Sequence, residues 1–320
     1  MTAHDPDPTG AASSPYAGLI TFARRQATRD LAEADIAVVG IPFDGGTTHR
    51  PGARFGPRAI REQSLFVGQY PWGHWPWCEA TDERPAVNLW ETARIVDWGD
   101  VPMTVFWPGY PDRMVAEVRR TVAEILATDT MVLALGGDHM VSYPVLAATA
   151  ERHGPLSLVH FDAHCDTWDM GDDLNHGTMF RLAVRDGFVD PSRSIQVGMR
   201  TPNPDGVGFT VVDADTLLDR PLRDTIDQIR ATVGDHPVYV SVDIDFLDPA
   251  SAPGTGTPVV GGPTARQARQ LLYGLAGLRV VGADHVEVAP HLDGPGDPTA
   301  ITAATLALNL AHLLALAPRS

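Results

Sequence analysis

Cysteine is nearly absent from this chain of 320 residues, which contains only Cys78 and Cys165. One disulfide is formally possible, but two cysteines are too few for the disulfide framework of a small secreted protein. Cys165 lies between His164 and Asp166, and on a strand its side chain points to the opposite face from theirs. We therefore expect Cys165 to be a small buried residue with a structural role.

Basic residues are also scarce: 24 Lys and Arg stand against 40 Asp and Glu, which gives a formal net charge of -16. A surface with this balance repels phosphate backbones and anionic lipid headgroups. The composition therefore argues against nucleic acid or an anionic membrane as a partner. The same excess of negative charge suits a cationic substrate.

Long hydrophobic runs are few. The N-terminus lacks a basic segment followed by an apolar run, so no secretory signal is predicted. The most apolar stretch, residues 300–317, is interrupted by four polar residues, and we expect a buried or subunit-facing helix rather than a membrane span. Residues 1–16 are predicted to be a flexible tail, and residues 17–320 a single domain. The expected compartment is the cytoplasm.

One stretch combines an apolar strand pattern with metal-ligand chemistry. After the apolar residues 156–159, Asp162, His164 and Asp166 occupy alternate positions. Alternate side chains of a strand point to the same face, so all three can reach one pocket beyond the end of the strand. Two carboxylates and an imidazole at one point are costly to desolvate without a cation. This pattern predicts a metal site, although an exposed, solvated strand end carries the same residue types.

Two further apolar stretches end in residues of the same kind. Residues 131–135 are followed by a glycine pair and His139, and residues 238–242 lead to Asp243 and Asp245, which again share one face. Together the three stretches supply four carboxylates and two imidazoles, which suit two divalent cations better than one. An oxygen-rich, mixed donor set favours manganese, with nickel, cobalt or iron as alternatives, and it is less typical of zinc.

Strand and helix patterns alternate along the chain. Buried strands are predicted at 36–40, 92–96, 131–135, 194–197, 209–212, 238–242 and 278–281, and a further strand is predicted to begin at 156. Helices are predicted at 111–128, around 145–148, at 217–232 and at 265–275. Repeated strand-then-helix units require a parallel sheet that is covered on both faces. The predicted fold class is therefore α/β with a central parallel sheet.

Six motifs, in the same order along the chain, resemble those of the ureohydrolase family of arginases and agmatinases. They are Gly136-Gly-Asp-His139, Asp162-Ala-His-Cys-Asp166, His176-Gly-Thr-Met-Phe180, Ser241-Val-Asp-Ile-Asp-Phe-Leu-Asp-Pro249, Ala252-Pro-Gly-Thr-Gly-Thr-Pro258 and Val286-Glu-Val288. A set of this size is far more specific than any single short pattern. The resemblance implies the three-layer α/β/α fold of arginases and deacetylases, a binuclear manganese centre, and hydrolysis of a guanidinium group to urea and an amine. It also implies a homotrimer or homohexamer.

The resemblance further implies roles for the ligand residues. Asp162 and Asp243 are expected to bridge the two metals. His139 and Asp166 are expected to complete one site, and His164 and Asp245 the other. Asp166 is also a candidate proton relay. A pair of cations lowers the pKa of solvent and so provides hydroxide near neutral pH.

The same resemblance implies two catalytic residues outside the ligand set. His176 is expected to be the proton shuttle beside the metals, since the pKa of histidine lies near neutrality. Glu287, in a buried-looking strand, is expected to bind the substrate guanidinium through paired hydrogen bonds. Thr255 is a candidate assistant in that contact. In the Gly/Pro-rich loop at 41–57, His49 and Thr48 are candidate pocket residues, although a purely structural loop fits the pattern as well.

The substrate is inferred from the loop between Asp166 and His176. Trp168 stands where the resemblance leads us to expect an Asn in an arginase, so arginase activity is disfavoured, and Trp168 is a candidate substrate contact. Three carboxylates of this loop, at positions 169, 172 and 173, favour the far ammonium of agmatine over a carboxylate tail. Agmatine is therefore the expected substrate, and 4-guanidinobutyrate, 3-guanidinopropionate and free guanidine are alternatives.

Two alternatives come from other functional classes. A zinc deacetylase on the same fold uses a different ligand set, and a catalytically inactive binding subunit is expected to lack a ligand or His176. Neither fits the complete set. The aromatic segment at residues 69–77, with three Trp and one Tyr, matches no family motif. It is a candidate pocket rim or subunit contact.

Overall fold

The structure is a computed structural model that describes residues 18–68, 87–103, 110–202 and 206–318. The predicted tail at 1–16, the aromatic segment at 69–77 and Cys78 lie outside these residues. All eight strands in the described part join one sheet, in the order β2-β1-β3-β8-β7-β4-β5-β6, and every neighbouring pair is parallel. The strands are β1 (Ile36–Gly40), β2 (Ile95–Asp100), β3 (Met131–Leu135), β4 (Ser157–Phe161), β5 (Ile195–Met199), β6 (Thr210–Asp213), β7 (Val238–Asp243) and β8 (Val280–Val286).

Helices cover both faces of this sheet. They are α1 (Gly56–Val67), α2 (Leu89–Thr92), α3 (Pro111–Leu126), α4 (Ser142–His153), α5 (Met179–Arg185), α6 (Ala214–Asp219), α7 (Leu222–Val233), α8 (Ala265–Gly274) and α9 (Pro298–Ala315). Alternate residues of β1 belong to two different apolar clusters. Ile36 and Val38 belong to the cluster that includes residues of α1, α7, α8 and α9. Ala37 and Val39 belong to the cluster that includes residues of α3, α4 and α5. The central strands are buried along their whole length, as expected for a sheet covered on both faces. The predicted three-layer α/β/α architecture is confirmed.

Two predicted elements differ from the structure. Residues 89–92 form the short helix α2, and the strand predicted at 92–96 begins only at Ile95. Asn88 starts α2 because its side chain accepts a hydrogen bond from the amide of Trp90. The helix predicted at 217–232 is two helices, α6 and α7, because Pro221 between them cannot donate the backbone hydrogen bond that a continuous helix requires.

Helix α9 is the one helix among the described residues that is long and apolar enough to cross a membrane, with a mean hydropathy of 1.3 over 18 residues. However, 72% of this window is buried inside the molecule. It packs against α1, α8 and β8, and it contributes Ala303, Leu306 and Leu310 to the apolar cluster on its face of the sheet. This environment is that of a core helix.

Candidate metal centre

The predicted ligands lie at the carboxyl ends of neighbouring strands. His139 follows β3, Asp162 follows β4 directly, Asp243 is the last residue of β7, and Glu287 follows β8 directly. These four strands are adjacent, in the order β3-β8-β7-β4, although they are far apart in sequence. Parallel strands bring their carboxyl ends to one edge of the sheet, where ligand sites of α/β proteins form.

The first cluster of side chains surrounds the imidazole of His139. Its Nδ1 lies 3.1 Å from Asp162 Oδ2, 2.9 Å from Asp166 Oδ2 and 3.3 Å from Asp243 Oδ2. All four side chains are almost completely buried. Three carboxylates that point at one ring nitrogen form a donor set for a cation.

The second cluster surrounds His164. Its Nδ1 lies 3.4 Å from Asp162 Oδ1 and 3.1 Å from Asp245 Oδ2. Asp162 therefore belongs to both clusters, with Oδ2 facing His139 and Oδ1 facing His164. The six predicted ligands form two adjoining groups that share this carboxylate.

The hydrogen bonds of His139 determine which of its nitrogens is free. Ser241 Oγ donates to Asp284 Oδ1 at 2.7 Å, and it lies 2.8 Å from His139 Nε2. Because the hydroxyl proton is used on Asp284, Ser241 accepts from His139, and the ring proton lies on Nε2. In the neutral ring the lone pair on Nδ1 is therefore aimed at three carboxylate oxygens. Burial opposes a charge on His139, but these carboxylates outweigh it and raise the pKa of His139 well above its usual range, so they attract a positive charge to this point. Lone pairs facing one another in this way repel, and a metal ion between them would coordinate all four atoms.

The charges of the site indicate the same need for a cation. Burial and the neighbouring charges of Asp245 and Asp162 raise the pKa of Asp243 well above its usual range. Burial and the charge of Asp162 likewise raise the pKa of Asp245 to about 6. Two protonated imidazoles would offset only half of the charge of four carboxylates. The residues present therefore fit a pair of divalent cations.

His160 lies one layer below the ligands. Gln196 Nε2 donates to the carbonyl of Cys165 and, at 3.1 Å, to His160 Nδ1. His160 must then carry its proton on Nε2, which lies 2.8 Å from Asp162 Oδ2. Both ring nitrogens of His160 are therefore used within the protein, as expected of a residue that orients a ligand. Cys165 is buried, as predicted.

Glu287 and His176 pair with each other beside the ligands. Glu287 Oε1 accepts from the backbone amide of His139 at 2.9 Å and lies 2.8 Å from His176 Nδ1. Burial opposes a charge on His176, but the hydrogen bond and charge of Glu287 outweigh it and raise the pKa of His176 to about 9. Glu287 Oε2 is buried and has no hydrogen-bond partner among the described residues.

Asp166 and Glu287 have left-handed backbone conformations, with φ of 53° and 64°. Such a conformation is strained for residues with a side chain and persists only where the surroundings hold it. The Glu287 amide donates to the carbonyl of Gly137 at 2.8 Å, and the carbonyl of Asp166 accepts from the Phe180 amide. Both of these left-handed residues turn the chain sharply at the edge of the site.

The remaining predicted substrate residues lie in different environments. Thr255 is fully buried, its Oγ1 has no partner among the described residues, and it forms an antiparallel bridge with Val288, next to Glu287. Trp168 is half-buried, and its ring packs near Gly177. His49 is exposed, and its neighbour Thr48 is the residue of this loop that contacts His176.

Sequence analysis missed several residues that support the site. They include Ser241, which lies within one of the six motifs, and Asp284 and Gln196, which lie in none of them. Arg200 is the largest omission, because its guanidinium donates to the backbone carbonyls of residues 198, 245, 246, 247 and 259 and so fixes the segment that carries Asp245. No sequence signal marks a guanidinium that binds only backbone oxygens.

Comparisons with known proteins agree with this geometry. Residues 34–312 match the model of the arginase family. An agmatinase of Chromobacterium violaceum is 47% identical over 305 residues, which cover 93% of this chain and 89% of that protein.

Two solved structures are similar over nearly the whole chain. A hypothetical agmatinase from Burkholderia thailandensis superposes with a TM-score of 0.86 at 43% identity and covers 94% of this chain and 92% of its own. Proclavaminate amidino hydrolase from Streptomyces clavuligerus superposes with a TM-score of 0.84 at 37% identity, with coverage of 95% and 99%. The family expected from the six motifs is confirmed: the chain belongs to the arginase family.

Proposed function

We propose that this protein hydrolyses agmatine with water to give urea and putrescine, with two divalent cations as cofactors. Relatives 44–47% identical to the chain are agmatinases. The observation that carries the proposal is the convergence of five buried ligand side chains and the partly buried His164 beside a buried glutamate, one of whose oxygens has no partner among the described residues. Manganese is the proposed metal, with Ni²⁺ or Co²⁺ as substitutes, because the donor set is rich in oxygen.

The six ligands are proposed to hold the cations in two groups. His139, Asp166 and Asp243 supply one site, His164 and Asp245 supply the other, and Asp162 faces both. Asp243 is proposed as a second bridging carboxylate. When bound, the cations would lower the pKa of a water and so supply hydroxide as the nucleophile for the guanidinium carbon. Asp166 is proposed also to accept a proton as the tetrahedral intermediate collapses.

Glu287 is proposed to bind the guanidinium. Its Oε1 is held by the His139 amide and His176, and the buried Oε2 has no partner in the part of the chain that the structure describes. An unpaired buried carboxylate oxygen is costly, and a guanidinium N–H would satisfy it with a charge-assisted hydrogen bond. Thr255 Oγ1, buried and also unpaired, is proposed as a second acceptor for the substrate.

His176 is proposed to move the proton that the departing amine needs. Its Nδ1 is bound to Glu287, which keeps the ring in a fixed orientation. Nε2 is then the nitrogen proposed to carry the proton to the amine, once the contact that the Thr48 amide makes with it is released. Trp168 and His49 are proposed to contact the aliphatic part and the far end of the substrate. Trp168 lies in the loop that leads to His176, and His49 lies beside Thr48, which contacts His176.

The carboxylates of the loop before His176 support a preference for a substrate with a cationic tail less strongly than the sequence alone indicated. Asp169 pairs with Arg181 at 2.6 Å, and Asp172 pairs with Arg185. Two of the three carboxylates in this loop are therefore offset by arginines of α5, which leaves Asp173. For this reason 4-guanidinobutyrate, whose tail is a carboxylate, is the second candidate substrate, ahead of 3-guanidinopropionate and free guanidine.

The test is urea release by manganese-loaded and nickel-loaded protein from agmatine, 4-guanidinobutyrate, 3-guanidinopropionate, arginine and guanidine. We expect agmatine to give the highest kcat/KM. His176→Ala is expected to retain about two metals per chain and lose about 10²–10⁴-fold in kcat. Asp243→Ala is expected to lose both turnover and metal. Faster turnover of 4-guanidinobutyrate would refute the assignment of agmatine. If protein with two manganese or two nickel ions per chain released no urea from any of the five compounds, the proposed reaction would be refuted.

A homotrimer or homohexamer, and a cytoplasmic location, are proposed on the basis of family resemblance alone. Sedimentation equilibrium of the metal-loaded chain, whose protomer mass is 34.4 kDa, would measure the first. A monomer or dimer would contradict it.

A further inference from the structure

Thr48 contacts His176 from the side opposite Glu287. The backbone amide of Thr48 donates to His176 Nε2 at 3.0 Å, and Thr48 Oγ1 lies 2.7 Å from the same nitrogen. A backbone N–H can only donate, so Nε2 must present a lone pair to it. The proton of the neutral ring therefore lies on Nδ1, where Glu287 Oε1 accepts it at 2.8 Å.

We propose that Thr48 is a positioning residue that fixes the orientation and the tautomer of the His176 ring. Glu287 accepts the Nδ1 proton on one side, and the Thr48 amide donates to the Nε2 lone pair on the other. The effect of this arrangement on turnover rests on the function proposed above, whereas its effect on the tautomer does not.

The loop that carries Thr48 is fastened at several points, so the contact is not that of a loose chain. The amide of Gly46 donates to Asp138 Oδ2 at 2.6 Å, and the carbonyl of Gly46 accepts from the backbone amide of His176 at 3.2 Å. A Cβ at Gly46 would lie 2.8 Å from Met140 Sδ and 3.0 Å from Asp138 Oδ2, so only glycine permits this approach. The loop thus binds both the main chain and the side chain of His176.

The other end of the loop is fastened beside Glu287. Arg50 donates from Nε to the carbonyl of Gly256 at 2.9 Å and from Nη2 to the carbonyl of Thr255 at 3.0 Å. Thr255 in turn bridges to Val288. Thr48 and Glu287 therefore belong to connected segments that hold the imidazole between them.

The two neighbours influence the proton of His176 in opposite ways. Glu287, with smaller contributions from Asp166 and Asp138, raises the pKa of the ring. The Thr48 amide acts in the other direction, because a proton on Nε2 would put two N–H groups face to face. The Thr48 hydroxyl can adapt, since it donates to a neutral ring and accepts from a charged one. It is therefore the part of Thr48 that keeps the ring in place as the proton moves.

The test compares three variants in the metal-loaded full chain. Thr48→Val keeps the branched shape and the amide but removes the hydroxyl, and Thr48→Ser restores a hydroxyl. Thr47→Val is the matched control, because Thr47 Oγ1 is buried and has no partner among the described residues. We expect kcat to fall about tenfold in Thr48→Val with KM nearly unchanged, since part of the contribution of the proton shuttle is lost. Thr48→Ser and Thr47→Val are expected to match the parent.

A second readout does not depend on turnover. Protein labelled with ¹⁵N-histidine and loaded with diamagnetic Mg²⁺ reports which ring nitrogen carries the proton, and the His176 signals are identified by their absence in His176→Asn. The spectra are recorded over a pH range that spans about 9, the value to which the pKa of His176 is raised. We expect the neutral ring to carry its proton on Nδ1 in all four proteins, because each keeps the amide of residue 48 and Glu287. We expect the pKa of His176 to be lower in Thr48→Val alone, because the charged ring loses the hydroxyl that accepts from it. A neutral ring protonated on Nε2 in the parent, or the same pKa of His176 in the parent and Thr48→Val, would overturn the proposal, even if agmatine proved not to be the substrate. A loss of kcat that Thr48→Ser did not restore would also overturn it.

Discussion

The role of each histidine near the site follows from the bond that one of its nitrogens makes. His139 gives its Nε2 proton to Ser241, so Nδ1 faces the carboxylates, and His160 receives from Gln196 on Nδ1, so Nε2 faces Asp162. His176 is bound on both sides. In every case a neighbouring hydrogen bond selects the tautomer, and the tautomer decides which atom is available for chemistry.

The hydrogen bonds of His285 also decide its protonation state, and they make the free energy of unfolding depend on pH. Its Nδ1 lies 2.8 Å from the carbonyl of Val242, and its buried Nε2 has no acceptor among the described residues. Burial therefore lowers the pKa of His285 to about 4, from an ordinary value of 6.5. Between these two values the unfolded chain binds a proton that the folded chain excludes. The free energy of unfolding should then fall as the pH drops from about 6.5 to 4, by up to about 1.4 kcal/mol per pH unit from this residue.

His285→Asn tests this expectation, because an Asn amide can still donate to Val242 but does not titrate. Urea denaturation of the parent and the variant at pH 7.5, 6 and 5 would measure the free energy of unfolding. The difference between the two proteins should change with pH below 6.5 and be constant above it. His236→Asn, at an exposed histidine, serves as the control and should keep the parent slope. A parallel pH dependence for the parent and His285→Asn would contradict the argument.

At the residue scale, the ligands were predictable because their signal is local. Asp162, His164 and Asp166 all reach the site, although they lie in the loop after β4 rather than on the strand, and Asp166 has a left-handed backbone. The contact between Thr48 and His176 joins residues 128 positions apart, and nothing in either segment specifies the other. Sequence analysis could therefore name Thr48 and His49 as candidates but could not choose between them.

At the scale of elements, the central strands align a buried row of polar residues beneath the ligands. In the register of the sheet, Gln196 of β5 lies beside His160 of β4, His160 beside Ser241 of β7, and Ser241 beside Asp284 of β8. Each ring or hydroxyl of this row bonds its neighbour in the row or a ligand above it. The row could not be predicted, because period-two patterns assign a residue to a face of its own strand but do not set the register between strands.

Tyr239 is the outer end of this row. Its hydroxyl donates to Asp284 Oδ2 at 2.8 Å, and Gly282 on β8 leaves room for its ring, because a Cβ there would lie 3.0 Å from two ring carbons. Without that hydroxyl, Asp284 would keep a buried unpaired oxygen and be less constrained to hold Ser241. We therefore expect Tyr239→Phe to weaken Mn²⁺ binding by about tenfold, at the low end of the range for groups behind metal ligands.

Calorimetric titration of chelator-treated protein with Mn²⁺ would measure this change in affinity. The matched control is Tyr273→Phe, which removes a buried tyrosine hydroxyl that accepts from Asn309 on helix α9, away from the ligands. Equal affinities for the parent and Tyr239→Phe would show that the row is structural only. Equal losses in both variants would point to general destabilisation.

At the scale of the whole molecule, strand order creates the site. β8 is the last strand in the sequence, yet it lies between β3 and β7, and only this insertion brings Glu287 beside His139. A parallel sheet was predictable from the alternation of strands and helices. The order of its strands was not, because it depends on long crossovers and on helix packing across both faces. The resemblance to a family supplied that information where local physics could not.

Because four buried carboxylates meet at the carboxyl edge of the central strands, metal removal should affect the stability of the whole molecule. Chelator-treated protein should unfold at a lower temperature, and Mn²⁺ at about 100 times its Kd should restore about 2.7 kcal/mol per site. Asp243→Asn should respond differently, since burial and the charges of Asp245 and Asp162, which raise the pKa of Asp243, act on a negative charge that Asn lacks. We expect the metal-free variant to be more stable than the metal-free parent, by on the order of 1 kcal/mol, and to gain far less from Mn²⁺. Scanning calorimetry of both proteins, with and without metal, measures all four states. If the unfolding temperature of the parent changed with neither chelator nor Mn²⁺, this result would contradict a metal centre at this edge of the sheet.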